Sequence, residues 1–314
     1  MAEDSLMRGA VIRSWGTALP PKVVTNHDLE QTLDTSDEWI VERTGIRERR
    51  VGGTTSGLAI EAGRQALDRA GWDPSTVDLV ILATTTPDQQ VPASASTVQN
   101  ELGIAGGAFD LNAACSGFVY ALIAGHGLIG AGMSRVLLIG AETLSRITDW
   151  DDRGTAILFA DGAGAVTLEA VDGPGQLLGW DLGSDGSARH ILDADIGGYL
   201  EMDGREVFRR AVRVMVESGN TALERAGVTA SDISLVVPHQ ANIRIIESAC
   251  TRLDIPMERA VSVLDRTGNT SSASIPLALA DAADAGRISP GDLVLLVGFG
   301  AGMTWASAVL RWQP

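Results

Sequence analysis

Lysine is all but missing from this chain: of 24 basic side chains only Lys22 is a lysine, in the segment Pro20-Pro21-Lys22. Any Schiff base or phosphate-loop lysine would have to be that one residue. Cysteine is nearly as scarce. Cys115 and Cys250 are the only two in 314 residues, which excludes a secreted disulfide framework. With four scattered histidines (His27, His126, His190, His239) they make no zinc spacing, so no metal is expected. Aromatic residues are 4% of the chain, so the core must be built from Ala, Val, Leu and Ile, and 36 glycines allow close backbone packing. Positive charge is short as well: 24 basic against 40 acidic residues leave a net charge of −16. A surface of that sign argues against nucleic acid as the main partner. The opening stretch Met1-Ala-Glu-Asp-Ser5 is acidic and carries neither a basic n-region nor an apolar h-region. No export signal is read there, and a cytoplasmic protein is expected.

One long uncharged run is present, from Leu111 to Ser134. As a membrane span it would hold Asn112, Ser116, His126 and five glycines, with no second span beside it. A helix buried within the protein accounts for it better. With 45% apolar and 20% charged residues the composition is that of a globular protein, and the length favours two coupled units over one core.

The sequence repeats itself. Glu61-Ala-Gly-Arg-Gln-Ala-Leu-Asp-Arg-Ala-Gly71 matches Glu217-Ser-Gly-Asn-Thr-Ala-Leu-Glu-Arg-Ala-Gly227 at an offset of 156, and the match runs on through Ser75/Ser231, Leu79/Leu235 and Val80/Val236. Each copy reads as a helix, a glycine C-cap, a short loop and a buried strand (Leu79–Ala83; Leu235–Val237). Val136–Ile139 and Leu293–Val297 form a second strand pair about one repeat apart. Apolar strands alternating with helices predict an α/β molecule with largely parallel sheets. It consists of two pseudo-symmetric halves, residues 1–172 and 173–314, divided at Asp172-Gly173-Pro174.

Several motifs fail on context. Gly125-His-Gly-Leu-Ile-Gly130 fits the dinucleotide fingerprint, but its glycines fall inside the uncharged helix, where close helix packing explains them. Asp149-Trp-Asp-Asp152 reads as a solvated loop. Asp110-Leu-Asn-Ala-Ala-Cys-Ser-Gly-Phe118 is different: a strand ends near Leu111 and Cys115 opens the uncharged helix. The positive end of a helix dipole favours thiolate, and with it nucleophilicity. Taken alone, Cys115 would more often be an inert buried cysteine, and Cys250, inside the helical pattern Ile245–Leu253, is read that way. Cys115 has company, however. Pro238-His-Gln-Ala-Asn242 puts His239 at a strand's carboxyl end, and Asn269, in Thr267-Gly-Asn-Thr-Ser-Ser-Ala-Ser-Ile-Pro276, lies 154 residues after Cys115. That spacing predicts Cys115 and Asn269 at equivalent helix starts, converging on one interface.

Together these segments resemble β-ketoacyl-acyl-carrier-protein synthase III, of the thiolase-like superfamily. The resemblance extends from Gly16 to Trp312 and includes Ser36-Asp-Glu-Trp-Ile40, Arg43-Thr-Gly-Ile-Arg47, Asp152-Arg-Gly-Thr155 and Gly298-Phe-Gly-Ala-Gly-Met-Thr-Trp305. The Cys-His-Asn set separates it from relatives with Cys-His-His or two cysteines. The family implies a layered α-β-α-β-α fold of two duplicated halves, a homodimer, and the condensation that starts fatty-acid synthesis. Its partners are acyl-coenzyme A and malonyl-acyl carrier protein, with no membrane and no nucleic acid. No dissociable cofactor is implied, coenzyme A entering only as a thioester substrate.

By this resemblance Cys115 takes the acyl group, and His239 and Asn269 hydrogen-bond the malonyl thioester oxygen as it gains enolate charge. Backbone N–H groups of Cys115 and Ala301 form the oxyanion hole, with Gly300 and Gly302 permitting the loop. Trp39 and Arg153 sandwich the coenzyme A adenine. Arg43 and Thr44 lie nearby, and Phe208, Ala241 and Asn242 line the pantetheine tunnel. Arg209 and Arg244 are the expected carrier-protein contacts, within a basic cluster that also holds Arg205, Arg210 and Arg213. Val91 and Leu144 are assigned to the acyl pocket. Two features depart from the family: residues 183–202 form a shorter segment than expected, and Val91 stands where many members place a bulky aromatic. A specialised relative of secondary metabolism, a thioesterase and a non-catalytic carrier-binding paralogue are the competing readings. The intact Cys115, His239 and Asn269 disfavour the paralogue, and Asn269, a donor and not a base, disfavours hydrolysis.

Overall fold

The structure, a computed structural model, describes residues 8–314, so the acidic stretch Met1–Ser5 lies outside the described residues. Nine strands form two sheets. The first contains β1 (Arg8–Ala18), β2 (Leu79–Ala83), β3 (Gly107–Leu111), β4 (Arg135–Thr143) and β5 (Asp161–Asp172) in the order β1-β5-β4-β2-β3. The second contains β6 (Leu177–Ser184), β7 (Leu235–Pro238), β8 (Leu293–Gly300) and β9 (Thr304–Arg311) in the order β7-β8-β9-β6. Read outward from β1 and from β6, the two orders match strand for strand. Beyond β7, where β3 would have its counterpart, a single parallel bridge between Val236 and Ala260 remains.

Both sheets are mixed, which corrects the expectation of largely parallel pairing. In the first, β2 pairs in parallel with β3 and β4, but β5 is antiparallel to β4 and β1. In the second, only β7 and β8 are parallel. The turn from β8 to β9 is only three residues, which permits nothing but an antiparallel pair.

Seven helices matter here: α1 (Asp37–Thr44), α2 (Thr55–Ala70), α3 (Ser94–Leu102), α4 (Gly117–Gly130), α5 (Gly204–Ala226), α6 (Ile243–Leu253) and α7 (Ser274–Asp284). The repeated segments are the ends of α2 and α5. Each stops at a left-handed glycine, Gly71 at φ +65° and Gly227 at φ +66°, a conformation that costs residues with a Cβ. Helices α2 and α3 cover the outer face of the first sheet, α5 and α6 that of the second, and α4 and α7 lie between the sheets. The result is the α-β-α-β-α layering. Helix α4 is the uncharged run, and its first turns are buried on every side because it touches both sheets. Among the described residues no helix is long and apolar enough to cross a membrane. Of the three fingerprint glycines only Gly125 is packed tightly, where a Cβ would lie 2.9 Å from Leu168.

Candidate active site

Strand β3 delivers the chain to the centre of the molecule, and a 3-10 turn (Ala114–Ser116) carries Cys115 just ahead of α4. The turn is held by Asn112, whose Oδ1 accepts the Ala114 N–H at 3.1 Å, and Ala114 takes a left-handed φ of +48°. Thr304 Oγ1 donates to the Ala113 carbonyl at 2.9 Å, tying the β8–β9 turn to it. That turn can close only because residue 300 is glycine: a Cβ there would lie 2.5 Å from the Cys115 nitrogen. No turn or loop carbonyl among the described residues accepts the N–H of Cys115 or Ala301.

His239 follows β7, buried with 1% of its surface exposed, its ring edge-on to Phe299 at 5.3 Å. Its Nδ1 lies 2.6 Å from Ser274 Oγ, which also accepts the Gln240 N–H. The Ser274 proton has no acceptor but Nδ1 among the described hydrogen bonds, so the hydroxyl donates to Nδ1 and the imidazole proton is assigned to Nε2. Burial pushes this histidine down to about 3, so it is a neutral donor. Asn269 is equally fixed: its Oδ1 accepts the Ser271 N–H at 2.9 Å, leaving the Nδ2 hydrogens to donate. Its backbone is stitched to Leu158 and Ala160, beside Phe159.

Two cavities meet at Cys115. One, of about 690 Å³, is a tunnel lined by Cys115, His239 and Asn269 together with Arg43, Thr44, Phe208, Ala241, Asn242, Arg205 and Arg244. The other, of about 480 Å³, runs past Leu144 and Ala301 and is also lined by Arg189, Asp193 and Ser271. Phe159 and Leu192 belong to both walls. The segment 183–202 supplies Leu192 and Met202 to the tunnel and Arg189, Leu192, Asp193, Ala194 and Leu200 to the second cavity.

The structure departs from the sequence expectations at five points. The Cys115 thiol is not lowered: burial pushes it up to about 12, with only a Ser271 hydrogen bond and its own N–H acting the other way. Desolvation outweighs the helix terminus here because Cys115 is buried between the two halves, with only 8% of its surface exposed. The symmetry mate of Asn269 is Asn112, not Cys115, and that of Cys115 is Ser272; the offset at the site is 157. Val91 is 82% exposed and lines neither cavity of its own chain. Trp39 and Arg153 stand outside the tunnel wall, next to Arg43, with the Arg153 guanidinium already 4.7 Å from the Trp39 ring. A base inserted between them needs about twice a stacking distance of roughly 3.5 Å, so Arg153 must swing aside. Arg209 does not line the tunnel and is paired with Glu206, which also holds Arg210.

Other expected residues serve the fold as well as the cavity. The Thr44 hydroxyl donates to the Ile40 carbonyl, and Asn242 caps α6 through Oδ1 while its Nδ2 donates to the Arg43 carbonyl. The Arg244 guanidinium lies 5.7 Å from the Phe208 ring. Cys250 is buried in α6, its thiol pushed up to about 11 by burial. No cluster of metal-ligating side chains occurs among the described residues. Ser271 and Ser274 were legible only as parts of a motif, while Phe159 and Glu142 gave no sequence signal of their own.

Comparison with known proteins agrees across the chain. The family model described as 3-oxoacyl-[acyl-carrier-protein] synthase III matches residues 109–186, and its C-terminal companion matches residues 223–312. The β-ketoacyl-[acyl-carrier-protein] synthase III of Sinorhizobium medicae is 51% identical over 320 residues, covering 96% of this chain and 99% of the relative. The crystal structure of 3-oxoacyl-[acyl-carrier-protein] synthase III from Aquifex aeolicus matches with a TM-score of 0.95 at 45% identity, covering 97% of this chain and all of that one. The priming β-ketosynthase of the R1128 polyketide pathway matches with a TM-score of 0.92 at 37% identity, covering 98% of both chains.

Proposed function

The chain belongs to the β-ketoacyl-[acyl-carrier-protein] synthase III family, and from that membership we propose that Cys115, His239 and Asn269 carry out its condensation. The enzyme joins the acyl group of an acyl-coenzyme A to malonyl-acyl carrier protein, giving 3-oxoacyl-acyl carrier protein and starting fatty-acid synthesis. One observation carries the assignment of roles: Cys115 sits where two cavities meet, with both neutral donors on the tunnel side.

Acyl-coenzyme A enters by the tunnel, its adenine at Trp39 and Arg153. Cys115 Sγ bonds to the thioester carbonyl carbon and the coenzyme A thiolate leaves, while the N–H groups of Cys115 and Ala301 stabilise the oxyanion. The acyl chain then occupies the second cavity along Leu144. Malonyl-carrier protein docks at the tunnel mouth, where Arg244 and Arg205 face its acidic surface, and threads the same tunnel. As carbon dioxide leaves, His239 Nε2–H and Asn269 Nδ2–H donate to the thioester oxygen that gains enolate charge. The enolate carbon attacks the acyl-Cys115 carbonyl and the Cys115 thiolate departs. Decarboxylation supplies the electron pair, so no base acts on the malonyl group and no dissociable cofactor enters.

A homodimer suits the exposed edge of β3, whose unpaired backbone and half-exposed Phe109 would otherwise remain open. Its neighbour α3 is capped by Asp110 of β3, and the exposed Val91 lies just before that helix, so one partner surface would cover both. Two free, buried cysteines suit a reducing cytoplasm. The priming polyketide ketosynthase among the matches keeps a specialised acyltransferase of secondary metabolism as the second reading. The test is incubation with acyl-coenzyme A and malonyl-carrier protein, following carbon dioxide and product mass. A 3-oxoacyl-carrier product is expected. Free fatty acid, or acylation without carbon dioxide release, would overturn the reading.

A further inference from the structure

The condensation gives no role to Glu142, which stands on β4, the central strand of the first sheet, and is 0% exposed. Its Oε2 gathers donors from the loop after β2: the hydroxyls of Thr84, Thr85 and Thr86 at 3.2, 3.0 and 2.6 Å, and the N–H groups of Thr85 and Thr86 at 3.1 Å each. Its Oε1 has one longer contact, to the Thr85 N–H at 3.2 Å, and otherwise faces Ser272 Oγ of the other half at 2.9 Å. Ser272 Oγ also lies 2.8 Å from the Ala83 carbonyl. A hydroxyl has one proton and stands here between two acceptors. Every group is satisfied when Glu142 Oε1 carries a proton and donates it to Ser272, which donates to Ala83. Burial raises the carboxyl above its usual range, in agreement with that state. A neutral carboxyl also sets no negative charge against the enolate.

What Glu142 holds is the turn that aims Asn269. Asn269 Oδ1 accepts the Ser271 N–H at 2.9 Å, and Ser271 sits at φ +47°, a conformation that costs any residue with a Cβ. Turning over the Thr270–Ser271 peptide would return φ to the negative side, and the same rotation would carry the N–H away from Asn269. The Thr270 hydroxyl is buried without a partner and adds no restraint. Two contacts keep the peptide as it is. The Thr270 carbonyl accepts the Ala273 N–H at 3.0 Å, and Ser272 is anchored to Glu142 and Ala83. The other half shows the alternative. Val136 pairs with Leu79 and Val294 with Leu235, and six residues further along each strand stand Glu142 and Gly300. At Gly300 the missing side chain makes room for the Cys115 turn, whereas the Glu142 side chain holds Ser272, the counterpart of Cys115.

We infer that Glu142 is a positioning residue for the decarboxylation step: from the centre of the first sheet it clamps Ser272, and with it the turn whose Ser271 N–H aims the Asn269 amide at the malonyl thioester oxygen. Glu142 touches no substrate. The inference rests on Asn269 being an enolate donor. It gives Glu142 no part in acylation, because the Cys115 turn is held separately by Asn112 and Thr304.

The test measures two rates on the same folded protein: Cys115 acylation by acyl-coenzyme A, from intact mass, and carbon dioxide release from malonyl-carrier protein. In Glu142→Ala the second falls at least about tenfold relative to the first, since a donor no longer held in line loses most of its effect on the barrier. A loss of stability alone lowers both together and leaves their ratio unchanged. Glu142→Gln copies the protonated state, its amide toward Ser272 and its carbonyl toward the threonines, and keeps the wild-type ratio. Should Glu142→Ala not fold, Ser272→Ala cuts the same link from the other side and carries the test with the same expected fall. Adding either alanine substitution to Asn269→Ala costs nothing beyond Asn269→Ala alone, because the clamp acts only through that amide. An unchanged ratio in the folded alanine variant, or an additive loss in the double variant, overturns the clamp. A crystal structure of the alanine variant checks the same point without activity: Ser271 leaves the left-handed region and releases Asn269, and an unchanged turn overturns the inference. Failure of the condensation reading shows differently, as a wild-type protein that makes no 3-oxoacyl-carrier product.

Discussion

Asn112 and Asn269 do the same work in the two halves. Each accepts the N–H two residues ahead through Oδ1, at 3.1 and 2.9 Å, and each fixes a following residue in the left-handed region, Ala114 at φ +48° and Ser271 at φ +47°. The duplicated turn has diverged in what it presents: one copy offers the Cys115 thiol three residues after its asparagine, and the other offers the asparagine amide itself.

Asn269→Asp should abolish carbon dioxide release and spare Cys115 acylation. It keeps the acceptor for Ser271 but replaces an amide donor with negative charge where the enolate forms. Losing one such donor costs about 3 kcal/mol, a hundredfold or more in rate. Intact-protein mass after acyl-coenzyme A, beside carbon dioxide release from malonyl-carrier protein, separates the half-reactions. Loss of acylation with carbon dioxide retained would reverse the assigned roles.

Leu144→Phe should narrow the second cavity and move primer preference toward acetyl, because Leu144 is 2% exposed and lines that cavity beside Cys115. Competition between acetyl- and longer acyl-coenzyme A, read as product mass, checks this. An unchanged product ratio would place the acyl chain elsewhere.

Arg244→Glu should raise the apparent KM for malonyl-carrier protein more than Arg209→Glu does. Arg244 lines the tunnel and has no carboxylate within ion-pair distance among the described residues, whereas Glu206 already neutralises Arg209. The comparison is made at low salt, where carrier docking is most sensitive to charge. Equal effects would mean that the docking face extends along α5.

Trp39→Ala should raise KM for acyl-coenzyme A and leave acyl-pantetheine, which lacks the adenine, unaffected. Stacking of this kind contributes about 1–3 kcal/mol. An equal loss for both substrates would return Trp39 to a packing role beside Ile40 and Ile157.

Acid should destabilise the fold through its buried histidines. His239 is held down at about 3 and His126 is also lowered, both by burial. A folded-state value below that of the unfolded chain means that the unfolded state binds more protons as pH falls. The His239 contribution is complete above about pH 6.5 and is lost on acidification toward 3, by up to about 1.4 kcal/mol per pH unit, and His126 acts in the same direction. Denaturant melts from pH 7 to 4 should show this slope, reduced in His239→Gln. An identical slope in the variant would assign the effect to other groups.

Much of this architecture is local and was therefore legible in the sequence. The helix ends at Gly71 and Gly227, the strands Leu79–Ala83 and Leu235–Pro238, and the uncharged helix after Cys115 are set by side-chain size, polarity and φ preference within a few residues. The offset of 156 exposed the duplication, and three short motifs supplied Cys115, His239 and Asn269. What only the tertiary structure decided depends on distance through space. Whether the thiol feels the helix terminus or its burial more strongly was fixed by how completely two halves enclose it. Glu142 reaches the site from β4, 27 residues after Cys115, and Ser271 from a turn more than 150 residues away, so no local pattern linked them. Val91, assigned to the acyl pocket by resemblance, is exposed and lines neither cavity of its own chain, since a resemblance in sequence carries no information about which way a loop faces. Desolvation, hydrogen-bond satisfaction and cavity shape are sums over non-local neighbours, and only folding brings those neighbours together.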